Sequence, residues 1–182
     1  LNITGVAQYD PAQVQLEVGR RWGAWTVALA ATYKRWSAFD GWQRPTVKCP
    51  SSQPDCEALR PEPVEFHDTV VPRIAAAYAF ALSPDAKAEA RFGYFWEPTP
   101  MGEQTGAANY FDNDRHAIGI GYSVELAEPL PPIRVDVVYQ HQFLFARTHQ
   151  KKASVASDNP GAPQVETGGQ VMSTGIALGV KF

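Results

Sequence analysis

Every second residue from Met172 onward is apolar or a threonine: Met172, Thr174, Ile176, Leu178, Val180, Phe182. The positions between them are Ser173, Gly175, Ala177, Gly179 and Lys181. A period of two gives a β-strand with one apolar face and one small or polar face. Six earlier segments repeat the pattern, at about residues 13–21, 25–36, 69–80, 87–97, 115–126 and 133–147. In the second, Trp25, Val27, Leu29, Ala31 and Tyr33 oppose Thr26, Ala28, Ala30, Thr32 and Lys34. In the fourth, Ala88, Ala90, Phe92, Tyr94 and Trp96 oppose Lys87, Glu89, Arg91, Gly93 and Phe95. Most segments reach ten residues or more, which suits a tilted membrane strand better than the roughly five or six residues usual in globular sheets.

Aromatic residues on the apolar faces gather near segment ends, as in Trp25 and Tyr33, Tyr78 and Phe80, and Phe143 and Phe145. Rings of this kind settle where hydrocarbon meets headgroups. The connections alternate in length. Those at about 22–24, 82–86 and 127–132 are short, and those at 37–68, 98–114 and 148–169 are long. Short periplasmic turns and long extracellular loops sort in this way. The expected fold is therefore all-β, an antiparallel transmembrane β-barrel portion filling residues 1–182 as one domain, ending on an aromatic that closes the barrel at the lipid interface. Two features disturb it. Pro72 falls within the third segment and predicts a bulge or kink, since it has no N–H for the ladder. Seven is an odd number, whereas single-chain bacterial barrels have even ones. Residues 1–10 are one source of an eighth strand, and a larger barrel of which this chain is the C-terminal part is the other.

Composition is consistent with this reading. No run approaches the roughly 18 apolar residues of a membrane helix, and 14 Gly and 15 Pro interrupt helical periodicity. A mean hydropathy of −0.27 suits a barrel, in which only alternate residues meet lipid. The net charge of −3 gives no broad basic field for nucleic acid. No signal peptide begins at Leu1, so an exported form is expected to be mature or a fragment. Cys49 and Cys56 bracket a short Pro- and Ser-rich stretch and are expected to form a disulfide in an outer loop.

No catalytic constellation is present: no nucleophile elbow, no Gly-rich phosphate loop, no His pair at metal spacing. No enzyme activity, cofactor or bound metal is expected, and His141 and His149 read as lone polar residues. Asp112, Asp114, Asn109 and Asn113 offer oxygen ligands for Ca²⁺, but a solvated loop stem with Asp114 pairing Arg115 is the plainer expectation. The candidate ligand-binding residues lie on the polar face. Lys34, Arg73 and Arg91 project there together with Trp36 and Phe95. A carboxylate leaving water requires a cation or strong donors, so an amphipathic ligand would use one or two of these cations beside apolar surface. The competing expectation is a cross-strand charge ladder, Arg91 with Glu89 and Glu97, and Arg134 with Asp136 and Glu125.

Three blocks in order, QVQLEVGRRWGAWTVALAATYKRWSAF (13–39), FHDTVVPRIAAAYAF (66–80) and DNDRHAIGIGYSVEL (112–126), with the terminal aromatic, resemble the C-terminal half of the FadL/TodX family. The resemblance implies a fourteen-stranded barrel with an N-terminal hatch, of which this chain supplies about seven strands. It also implies passive uptake of long-chain fatty acids or other hydrophobic compounds across the bacterial outer membrane. The partners would be membrane lipid, an apolar or amphipathic small molecule, and the N-terminal half of the barrel or a partner chain; nucleic acid is not among them. The alternative is a structural or partner-binding barrel subunit of a surface assembly. If the outer loop meets an oxidising compartment, mass spectrometry of non-reduced peptides will find Cys49 joined to Cys56; two free thiols would contradict this.

Overall fold

The computed structural model describes residues 2–5, 9–39, 41, 43–46, 52, 65–102, 110–126, 132–150 and 163–180. Cys49, Cys56, Lys181 and Phe182 lie outside the described residues, and with them the expected disulfide and the terminal aromatic. Seven strands form one antiparallel sheet: β2 (Ala12–Trp22), β3 (Trp25–Arg35), β5 (Thr69–Ser83), β6 (Ala86–Glu97), β7 (Arg115–Leu126), β8 (Ile133–Gln150) and β9 (Gln164–Val180). They are ordered β2-β3-β5-β6-β7-β8-β9, so each strand pairs with its neighbour in this sequence order, and β2 and β9 are open edges. Tight turns join β2 to β3 at Gly23, whose φ of 57° suits a residue without Cβ, and β5 to β6 at Pro84–Asp85. Two short strands, β1 (Asn2–Gly5) and β4 (Gln43–Thr46), form a separate sheet. Of residues 1–10, the described Asn2–Gly5 do not begin an eighth strand of the main sheet, because β1 takes its partner from within the long connection after β3.

The registers hold the sequence alternation in continuous rows. One row runs Phe92↔Ile120↔Tyr139↔Thr174, and the next runs Ala90↔Tyr122↔Val137↔Ile176. Leu16, Ile176 and Leu178 on this apolar face are 75%, 77% and 70% exposed. An uncovered apolar surface running across seven strands is far larger than a water-soluble monomer tolerates. Aromatic contacts mark both ends of it. Trp25 and Tyr78 lie 4.7 Å apart, with Phe80 and Tyr122 beside them. Towards the other end His116 lies against Trp96 and Phe145, and its Nδ1 is 2.7 Å from the Tyr94 hydroxyl. His141 stacks on Phe143 at 3.9 Å, so it belongs to this aromatic band.

The ladder is irregular in two places besides a small shift at the β5–β6 turn. Pairing of β3 with β5 continues through Ala31↔Pro72, whereas the β5–β6 register ends at Arg73↔Phe95. It resumes where His67 N–H donates to Pro100 O at 2.8 Å and Phe66 bridges Met101. The missing proline donor accounts for a break on one side only. The second irregularity, between Leu144 and Arg147, was not foreseen and lengthens β8 to Gln150. Asn113, 3% exposed, occupies this bulge. Its amide donates to Phe145 O at 2.7 Å and Thr167 O at 2.9 Å, and its oxygen accepts from Thr167 Oγ1 at 2.6 Å. Opposite, a Cβ on Gly168 would stand 3.1 Å from Ala146 Cα, so the strand closes on the bulge only with glycine there.

Two outcomes test this architecture. Phe92→Lys places charge against hydrocarbon at a cost of about 2–4 kcal/mol, and its yield of heat-modifiable, folded barrel in liposomes should fall well below that of Arg91→Gln; equal yields would refute the face assignment. Asn113→Ala leaves buried carbonyls without donors, and a loss of about 1–3 kcal/mol is expected in urea unfolding, with an unchanged midpoint counting against the bulge role.

Candidate functional site

The polar face carries its charges in two layers. In the layer near the long connections, Lys34 Nζ and Arg115 Nη2 both donate to the Glu97 carboxylate. Arg115 Nη1 also reaches Gln142 Oε1 at 3.5 Å, and Gln142 donates to Gln140 at 2.9 Å. Phe95 takes two guanidinium groups against its ring, with Arg73 Cζ 5.7 Å and Arg115 Cζ 5.6 Å from the centroid. Such contacts lower the cost of a cation without using its N–H donors. Arg73 has no ion pair or hydrogen bond among the described residues, and Phe95 is the partner that holds it.

In the second layer Arg91 Nη2 donates to Asp136, and Arg91 Nε lies 3.5 Å from Glu89. Arg134 completes the chain with bonds of 2.8 and 3.1 Å to Asp136 and 3.4 Å to Ser123. Arg91 is thus engaged on both sides and Arg73 is not, a difference the sequence pattern does not show. The ladder expected from the sequence is present in part: Arg91 meets Glu89 and Arg134 meets Asp136, but Glu97 turns to Lys34 and Arg115, and the partner of Arg91 across the sheet is Asp136.

Between the layers the side chains are short. Ala28, Ala30, Ala75, Gly93, Ala117 and Gly119 floor a cleft of about 290 Å³ bounded by Gln15, Glu17, Arg73, Phe95 and Gln140. A second cleft of about 540 Å³ continues across β6 to β9 past Arg91, Gly121, Val138 and Ser173. The trough is shaped by residues that project little, and its polar groups stand along the edges.

Trp36 does not stand beside Arg73. It opens the short 3-10 turn Trp36–Ala38 and belongs to an apolar cluster with Tyr9, Phe39, Phe66, Met101 and Tyr110. This cluster borders a separate cavity of about 320 Å³, also lined by Glu97 and Arg115. The turn is held where Tyr33 Oη and, at 2.8 Å, Ser37 N–H donate to Asp68. These bonds, that from Tyr33 first, hold the Asp68 carboxyl below its ordinary range. Asp112 and Asp114 also serve the loops, accepting from Thr99 Oγ1 at 3.1 Å and Thr99 N–H at 2.9 Å. The expected Asp114–Arg115 pair is therefore replaced by Asp114–Thr99 and Arg115–Glu97. Asn109 lies outside the described residues, and Asn113 is committed to the β8 bulge. His149 is buried and bonds Thr167 Oγ1 at 2.9 Å.

Sequence reasoning missed Glu17, Gln15 and Gln140 as parts of the cleft. Their alternation with Val14, Leu16, Val18 and Tyr139 placed them on the polar face, but only the register brings them beside Arg73.

No family model matches the chain, and no curated protein matches it in sequence. Among solved structures, the crystal structure of a Pseudomonas aeruginosa FadL homologue matches with a TM-score of 0.55 over 92% of this chain, at 15% identity. The fold is that of a FadL-type barrel segment. The chain spans 34% of the length of that homologue. An identity this low shows the fold alone.

Proposed function

We propose that this chain is one wall of an outer-membrane channel of the FadL/TodX family, which takes up long-chain fatty acids or other hydrophobic compounds by passive diffusion. The apolar face meets lipid, the small-residue trough meets the ligand, and Arg73 receives the ligand's polar end. The long connections lie outside the cell and the short turns in the periplasm. The observation that carries this reading is an arginine without an ion pair among the described residues, at the rim of a trough floored by Ala and Gly. Among the described residues, Lys34 and Arg115 share the Glu97 carboxylate whereas Arg73 has no ion pair, which leaves its positive charge to be matched. A monoanionic headgroup matches it, and the hydrocarbon tail lies along the trough, where burial stabilises it by roughly 0.8 kcal/mol per methylene.

Of the residues expected to meet ligand, Arg73 and Phe95 line this cleft, whereas Lys34 supports it through Glu97. Arg91 is held by Asp136, and Trp36 faces the other cavity. In the purified natural protein, Arg73→Gln should weaken palmitate binding by roughly ten- to a hundredfold, the loss of one charge-assisted contact of about 1.5–3 kcal/mol. Hexadecane binding should change little, and Arg91→Gln should change palmitate binding much less than Arg73→Gln does. Equal losses for acid and hydrocarbon would reject the arginine role. A folded protein that binds neither ligand would favour a structural barrel subunit.

A further inference from the structure

Glu17 and Arg73 stand in one row of the sheet: Glu17 pairs with Ala30, and Ala30 pairs with Arg73. With registered neighbours about 5 Å apart, their Cα atoms are about 10 Å from each other, with only the methyl group of Ala30 between them. Side chains of this length can bridge such a gap, yet they form no ion pair. Each is held back. The Arg73 guanidinium leans the other way, onto Phe95 on the far side of β5. Glu17 is oriented from its own strand: Thr32 Oγ1 donates to Gln15 Oε1 at 3.2 Å, and Gln15 Nε2 in turn reaches Glu17 Oε2 at 3.5 Å. Both side chains line the same cleft, with free donors on one side and a carboxylate acceptor on the other.

We propose that Glu17 and Arg73 form a two-point recognition site that selects amphiphiles carrying a hydroxyl next to the carboxylate. This rests on the reading of Arg73 as the headgroup residue and adds a second contact to it. Arg73 takes the ligand's carboxylate, and the adjacent hydroxyl donates to Glu17 across Ala30. A plain acid meets Glu17 with no donor, so its carboxylate feels the like charge with only Arg73 to offset it. A hydroxy acid turns the same carboxylate into a hydrogen-bond partner, and a hydrogen bond to a charged group is among the stronger kinds.

The test is equilibrium binding of palmitate and α-hydroxypalmitate to the natural protein purified in detergent. The unaltered protein should prefer α-hydroxypalmitate by about tenfold, in line with one hydrogen bond to a charged acceptor. Glu17→Ala should abolish the preference while leaving palmitate binding as tight or tighter, and Arg73→Gln should weaken both acids. Equal affinity of the unaltered protein for the two acids, or a preference that survives Glu17→Ala, would overturn the inference and leave the carboxylate role of Arg73 standing. Failure of the unaltered protein to bind either acid would instead remove the reading on which it rests. If Glu17→Ala does not fold, the comparison of the two acids on the unaltered protein still decides.

Discussion

A β-strand turns successive side chains to opposite sides, and this constraint orders the whole molecule. Across seven registered strands it leaves only two faces on which to sort every residue. One face gathers most of the Val, Ile, Leu and aromatic residues of the strands; all ion pairs among the described residues fall on the other. The register holds this sorting in place, because a slip of one residue would exchange the faces. In a medium that offers no hydrogen bonds, the ladder must also satisfy its own N–H and C=O groups. The charged layers are therefore built from residues on different strands at adjacent rows of one face, such as Arg91 with Asp136, two strands away.

Where the ladder departs from regularity, a side chain or a neighbouring segment takes over the unmet hydrogen bonds. At Pro72 the strand keeps its partner on one side and loses it on the other until His67 meets Pro100. At the β8 bulge, Asn113 supplies the donors that the displaced backbone no longer finds in its neighbour. Both departures lie toward the long-connection end of the sheet, where the Phe39–Phe66–Met101 cluster is buried. There the chain changes from a wall into a folded cap, with side-chain bonds in place of the ladder.

The sheet was legible in the sequence because its signal is local: each segment carries its own alternation, and Pro72 its own warning. The loops were less so. Trp36 continues the alternation of β3 on paper, but the chain turns at this residue and its indole joins Phe39 rather than Phe95. The same limit governs the cations. Period two places Arg73 and Arg91 on one face with equal authority, yet Asp136 lies 45 residues beyond Arg91, and no local pattern announces that partnership. The bulge at Leu144 was hidden for the same reason, since Phe143 and Phe145 alternate as any strand would, and only the pairing with β9 reveals the extra residue.

Phe95 meets both Arg73 and Arg115, two like charges brought to one ring. A carboxylate in that place would neutralise the cations and occupy their donors. The quadrupole of a phenyl ring eases their repulsion without taking up the N–H donors of Arg73. Arg73 is thus held in place by a ring, without a closed ion pair among the described residues, while Arg115 beside it is paired with Glu97. A cation held by a ring rather than a carboxylate keeps its field, and that field reaches into water over a distance set by the ionic strength.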